Sequence, residues 1–155
     1  MPLIWVTGTP GAGKSAVCGV LQARGHEAYD ADTGGFRYWR RRDTKERVDL
    51  PGRPLPPGWH LEHDMPMQRS AVEALARRAT GTVFLCGTVG NELDVWDLFD
   101  QIICLVVDEA TLRHRLATRD DTYGKDPEIA APVIEWNRTS EASYRQVESV
   151  ATRDI

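Results

Sequence analysis

The sequence predicts a three-layer α/β fold built on a parallel sheet of about five strands. Three observations carry this expectation. Short apolar runs alternate with helical patterns along the 155 residues, the order that yields a parallel sheet covered by helices. The runs "LIWVT", "TVFLCG" and "IICLVVD" are apolar at successive positions, as strands buried on both faces are. The first of them leads directly into a glycine-rich turn and then a helix.

Composition sets the bounds. A hydrophobic content of 41% and a charged content of 27% are ordinary for a globular chain, and the length suits one domain spanning 1–155. The net charge of -4 argues against nucleic acid or a membrane surface as partner. No apolar run approaches the length of a membrane span, and "MPLIWVTG" lacks the basic region of a signal peptide. Cys18, Cys86 and Cys104 lie far apart in apolar runs. They read as reduced, buried thiols of a cytoplasmic protein rather than as a disulfide framework or a zinc site.

Taken in order, Leu3 to Thr7 reads as a central strand. Lys14 to Arg24 is helical, with Ala16, Val17, Val20 and Leu21 on one stripe and Gly25 placed to end it. His26 to Asp30 is a second strand. Asp32 to about Val48 is charged and reads as a helix after Thr33-Gly34-Gly35. Leu50 to Trp59, with four prolines and two glycines, is a loop. A helix runs from near Pro66 to Ala79, with Met67, Ala71 and Leu75 in helical spacing and Pro66 in its first turn. Thr82 to Gly87 is the third strand, Glu92 to Phe99 a short helix, and Ile102 to Asp108 the fourth strand. Asp108 can cap a helix from Glu109 to about Arg119. The polar loop "DDTYGKDP" follows. Asp126-Pro127-Glu128 then opens a helix that Pro132 should kink or restart. "SVAT" is a fifth strand.

The glycine-rich turn carries the chemistry. Gly8-Thr9-Pro10-Gly11-Ala12-Gly13-Lys14-Ser15 matches G-x-x-x-x-G-K-[ST] at every fixed position. Glycines let the backbone approach a phosphate closely and take positive φ. Successive N–H groups, including those of Gly11 to Ala16, then converge on an anion at the start of a helix. Lys14 adds a full charge, and the Ser15 hydroxyl is a ligand for Mg²⁺. A turn that only joins a strand to a helix needs neither the lysine nor the hydroxyl.

This stretch resembles the Walker A loop of P-loop nucleotide-binding proteins. "TGTPGAGKS" is similar to the version in nucleoside monophosphate kinases and in small-molecule kinases such as shikimate kinase. No N-K-x-D motif of a GTPase occurs. "ICLVVDE" imitates the Asp-Glu strand end of large ATPase machines, but it sits on the fourth strand, where Asp108 reads as a helix cap.

The resemblance implies a P-loop fold with a short lid at about 118–127 and an acceptor-binding region at about 32–65. It implies ATP as co-substrate, Mg²⁺, and a small-molecule acceptor. Gly8, Gly11, Ala12, Gly13, Lys14, Ser15 and Ala16 would bind the nucleotide. Arg115 and Arg119, spaced i, i+4, resemble the arginines that close over the transferring phosphate, whereas Arg113 reads as a solvated helix-end charge. Asp30 and Asp32 straddle the end of the second strand, where a parallel sheet binds ligands. Their spacing resembles shikimate kinase, in which the first carboxylate, here Asp30, joins Ser15 at Mg²⁺ and the second, Asp32, holds the acceptor hydroxyl. "DTGGFR" equally resembles a segment of adenylate kinases, with Arg37 on an acceptor phosphate, although Gly35 stands where those enzymes carry an acid. Asn91 could contact the acceptor. Catalysis would rest with Lys14, Arg115, Arg119 and Asp32.

The rest of "RYWRRRDTKER" reads as a solvated helix face. His60, His63 and Asp64 are too sparse for a metal centre and read as structural or substrate-facing. Trp59 either stacks on an acceptor ring or packs its loop. "VATRDI" resembles the loop that flanks adenine. The reading is an ATP-dependent kinase, first of a nucleotide-like acceptor. A kinase of a small hydroxylated metabolite or antibiotic and a slow regulatory ATPase are the alternatives.

Overall fold

The computed structural model describes residues 2–49, 51–52, 55–119, 127–145 and 150–154. In chain order its elements begin with β1 (Leu3–Gly8), α1 (Lys14–Ala23) and β2 (Glu27–Asp30). Then come β3 (Trp39–Arg41), β4 (Arg47–Val48), α2 (Trp59–Glu62), β5 (His63–Asp64) and α3 (Arg69–Arg78). The last are β6 (Val83–Cys86), α4 (Glu92–Val95) with a 3₁₀ turn (Trp96–Leu98), β7 (Gln101–Val106), α5 (Glu109–Thr118), α6 (Pro127–Arg145) and β8 (Val150–Asp154).

The expected sheet forms. Five parallel strands lie in the order β2-β6-β1-β7-β8. β1 is central, paired to β6 from Leu3↔Val83 to Val6↔Cys86 and to β7 from Ile4↔Gln101 to Gly8↔Leu105. Its alternating side chains feed two cores. Leu3 and Trp5 join Val72, Leu75, Leu85, Val95 and Ile102 on one face. Val6 joins Cys18, Ala28, Cys86 and Leu105 on the other. Trp5 is fully buried. It stacks on Phe99 with ring centroids 5.3 Å apart, meets Trp96 edge-on, and donates its indole N–H to Gly87 O at 2.8 Å. Burying an aromatic of this size contributes roughly 2–3 kcal/mol.

Local signals set several boundaries. Gly25, at φ +82°, ends α1: its N–H reaches Gln22 O and that of His26 reaches Leu21 O, both at 3.0 Å. This pair of bonds satisfies carbonyls the helix leaves open. Asp108 caps α5 by accepting from the Thr111 N–H at 2.9 Å. Cys18, Cys86 and Cys104 are buried thiols outside any disulfide, and burial pushes the Cys18 and Cys86 thiols above their ordinary range.

Four expectations need correction. Asp32 to Val48 is not a helix. Past a turn it forms β3 and β4, which with β5 make an antiparallel sheet in the order β4-β3-β5. Trp39 decides this: it is buried against Trp59 and His60, and the residue after it, Arg40, pairs with Asp64 on β5. Aromatic residues favour such half-buried pleated positions. Second, α3 begins at Arg69, not near Pro66, because Pro66 to Gln68 still bond the extended chain. Tyr38 N–H reaches Pro66 O at 3.3 Å, and Gln68 N–H reaches Phe36 O at 2.7 Å. Third, the helix does not restart at Pro132: α6 runs through it as one element. A proline one turn beyond the start removes a single helical bond. Fourth, the described part of "VATRDI", Val150–Asp154, is an edge strand rather than a loop, paired with β7 from Ile102↔Val150 to Val106↔Asp154. The expected lid falls largely on 120–126, outside the described residues.

Candidate active site

The turn between β1 and α1 lies at the carboxyl end of the central strand. Gly8 has φ +147°, and a Cβ there would stand 2.7 Å from Leu105 O on the neighbouring strand. Only glycine fits both constraints. Gly13, at φ +103°, is the residue from which α1 starts. The first intrahelical bond is Val17 N–H to Gly13 O at 3.0 Å. The amides of Lys14, Ser15 and Ala16 therefore precede the helical ladder, as anion-binding helix starts require. The Ala16 methyl itself faces outward, onto a groove of about 380 Å³ along α1. Ala12 is buried, with its N–H on Thr9 O at 3.0 Å.

Lys14 folds back over the turn. Its ammonium donates to Gly8 O at 2.9 Å and to Thr9 O at 2.7 Å. Burial pushes its pKa down from 10.5 to about 8. Nearby Asp32 opposes this, Arg37 and Arg119 add to it, and Asp30 opposes it. Arg115 donates from Nη1 to Gly11 O at 3.1 Å, so α5 is tied to the turn.

Oxygen donors gather beside the turn. The Ser15 hydroxyl donates to Asp30 Oδ2 at 3.0 Å, and Asp30 Oδ1 accepts from the Asp32 N–H at 2.8 Å. A hydroxyl and a carboxylate on exposed positions suit a hard cation that keeps most of its waters, which is Mg²⁺ chemistry. Arg37 pairs with Asp32 and donates from Nε to Met65 O at 3.1 Å. The guanidinium side chain is 14% exposed and the carboxylate side chain 61%. The carboxylate is thus open to solvent while its orientation is held.

Asn91 does not present its amide to that opening. Oδ1 accepts from Met67 N–H at 2.7 Å and Nδ2 donates to Met67 O at 3.0 Å. It fixes the extended segment opposite Arg37, which pairs with Met67 across the bridge. Trp59 packs its loop: His63 stacks on it at 3.7 Å and Trp39 meets its edge at 5.7 Å. His63 is buried, with Nδ1 3.0 Å from Trp59 O. Among the described residues no group of three His, Cys, Asp or Glu converges as a metal site.

The Asp-Glu strand end is fully engaged elsewhere. Asp108 Oδ2 accepts from the Thr111 hydroxyl at 2.6 Å. Glu109 accepts from Arg113 at 2.7 Å and from Arg138 at 2.9 Å. These pairs hold Asp108 low as a helix cap and Glu109 low as a salt-bridged carboxylate.

Three contributors escape a reading of motifs. The Thr88 hydroxyl donates to Gly8 O. Arg40 and Asp64 form a two-bond pair at 2.8 and 3.3 Å, with side chains 14% and 10% exposed. Asn137, on α6, reaches Thr9 and Val107. Each joins residues distant in sequence, and no local pattern marks them.

The sheet, the phosphate-binding turn and the helix that follows define a P-loop nucleotide-binding protein with the fold of the small P-loop kinases. The chain belongs to a family described as the AAA domain, whose model matches residues 4–143. No curated protein matches it. Among solved structures it is similar to TT1252 from Thermus thermophilus, with a TM-score of 0.60 and 18% identity over 99% of this chain and 88% of that one. It is similar to the shikimate kinase of Acinetobacter baumannii in complex with shikimate, at TM-score 0.58 and 17% identity over 100% and 84% of the chains. The deoxyadenosine kinase of M. mycoides with bound dATP aligns at TM-score 0.51 and 15% identity over 98% and 90%. At such identities the likeness is one of fold. Among the described residues no helix is long and apolar enough to cross a membrane.

Proposed function

We propose that this protein is an ATP- and Mg²⁺-dependent phosphotransferase that moves the γ-phosphate to a small acceptor, first of all a nucleoside monophosphate or nucleotide-like molecule. The observation that carries this is the set of contacts around one turn. Lys14 bonds Gly8 O and Thr9 O, Arg115 of α5 reaches Gly11 O, and Ser15 reaches Asp30. Asp30 in turn holds the N–H of Asp32, the partner of Arg37, so the groups expected at donor and acceptor border the same loop.

The chain's own groups then act by position and charge. The amides that open α1 hold the polyphosphate. Lys14 leaves its two carbonyls and moves onto the phosphates. Arg115 and Arg119 neutralise the charge that spreads over the transferring group. Ser15 and Asp30 would hold Mg²⁺, which supplies charge neutralisation between the phosphates. Arg37 holds an acceptor phosphate, and Asp32 orients the attacking oxygen.

A hydroxylated metabolite or antibiotic is the second reading of the acceptor. It is favoured by Asp32, a mostly exposed carboxylate whose direction Arg37 sets. The engagement of Asp108 and Glu109 in capping and salt bridges speaks against a regulatory ATPase built on that strand end. The test is ATP consumption with and without a panel of nucleoside monophosphates and small polyols. Turnover that rises at least tenfold with one acceptor class supports the kinase. Turnover indifferent to every acceptor and stimulated by a partner protein would replace it with the slow ATPase.

A further inference from the structure

We infer that Asn137 is a positioning residue of the phosphate loop, acting on Lys14 through Thr9. This rests on the reading of Gly8 to Ser15 as the polyphosphate site. Asn137 stands 128 residues from Thr9 in sequence, and both are buried, at 7% and 1% exposure. The amide nitrogen donates to Val107 O at 3.0 Å. A carbonyl only accepts, so this bond fixes which end of the amide is which. The oxygen then faces Thr9 and accepts from its hydroxyl at 3.4 Å.

Thr9 is the hinge of the loop's internal bonding. Its carbonyl accepts from both the Lys14 ammonium at 2.7 Å and the Ala12 N–H at 3.0 Å. At 1% exposure the Thr9 side chain cannot touch a ligand in solvent, yet its peptide carries half of the lysine's cradle. Gly8 carries the other half and is held by Thr88. The side-chain anchor of Thr9 is Asn137. A buried hydroxyl deprived of its acceptor pulls its backbone toward another partner, at a cost of about one hydrogen bond.

The anchor also joins two elements. Val107 follows β7 and immediately precedes the cap of α5. Its side chain packs with Leu112, Leu116, Val133 and Ile134 between α5 and α6. One amide from α6 therefore sets the phosphate loop and the base of α5, from which Arg115 reaches Gly11 O, in a common frame. Buried, satisfied polar groups of this kind select one arrangement out of several that packing alone would tolerate.

The test compares Asn137→Leu, Thr9→Val, Thr9→Ser and the Asn137→Leu/Thr9→Val pair, reading melting temperature and the dissociation constant for Mg·ATP. Asn137→Leu and Thr9→Val are expected to weaken nucleotide binding about fivefold to tenfold, the value of one hydrogen bond. The pair should lose no more than Asn137→Leu alone, because that change already breaks the link to Thr9 along with the bond to Val107 O. Thr9→Ser keeps the hydroxyl and should recover most of the affinity that Thr9→Val loses. Under turnover, the Michaelis constant for ATP should rise while that for the acceptor stays within twofold. Variants that melt lower but bind Mg·ATP as the parent does would overturn the inference and leave Asn137 a purely structural residue. Fully additive losses in the pair would overturn it too. Should Asn137→Leu fail to fold, the Thr9→Val and Thr9→Ser comparison decides alone. A parent protein that binds no nucleotide would remove the phosphate-site reading and this inference with it, whereas a binding parent with indifferent variants removes the inference only.

Discussion

Raising the pH above 8 should loosen the grip of this protein on nucleotide, and the slope follows from Lys14. Burial lowers the ammonium pKa from 10.5 to about 8 in the free protein. A bound polyphosphate places negative charge against it and returns the pKa to its ordinary range or above. Binding is then linked to proton uptake. With a free-state value of 8, the apparent dissociation constant should grow about twofold at pH 8 and about tenfold at pH 9, relative to pH 7 or below. At pH 8 about half a proton should be taken up per nucleotide bound. Calorimetry of Mg·ATP binding in two buffers of different ionisation enthalpy reads the proton count, and a pH series reads the constant. Lys14→Arg keeps its charge throughout and should flatten the profile. A dissociation constant that stays level from pH 7 to 9.5, with heats indifferent to buffer, would refute the account of Lys14. The same shift has the opposite sign for stability. Between 8 and 10.5 the unfolded chain holds more protons on this lysine than the folded one. The free protein should therefore gain stability from this group as the pH rises through that window, having carried the cost of a desolvated ammonium below it.

Other outcomes are equally definite. Lys14→Ala should abolish measurable Mg·ATP binding, and binding within threefold of the parent would contradict the assignment. Arg37→Ala should raise the acceptor's Michaelis constant at least tenfold with the constant for ATP little changed, if the acceptor carries a phosphate; initial rates over an acceptor series check this. Gly8→Ala should destabilise the fold by about 2 kcal/mol or more in denaturant titration, since the new Cβ meets Leu105 O at 2.7 Å and φ is +147°. Asp64→Ala should cost about 3 kcal/mol, because it leaves Arg40 mostly buried without its carboxylate. Replacing both partners of that pair with apolar residues should cost less than removing one.

The sequence by itself determined what adjacent residues decide among themselves. The phosphate turn needs only glycines, a lysine and a hydroxyl at set intervals, so it is written in one octapeptide. Gly25 and Asp108 mark the end and start of helices through bonds that span no more than five positions. The parallel sheet follows from apolar runs separated by helices. Residues 37–48 went the other way because their charges favour a helix only when the chain is read alone. Trp39 had to meet Trp59, and Arg40 had to meet Asp64, before a strand became the better state. Asn91 carries a polar amide in a site-facing turn, yet Met67 claims both its ends. Asn137 lies on a helix face with nothing to mark it until α6 is laid beside the phosphate loop. Tertiary structure alone decided these, because each depends on burial that brings distant partners together and makes an unpaired polar group costly.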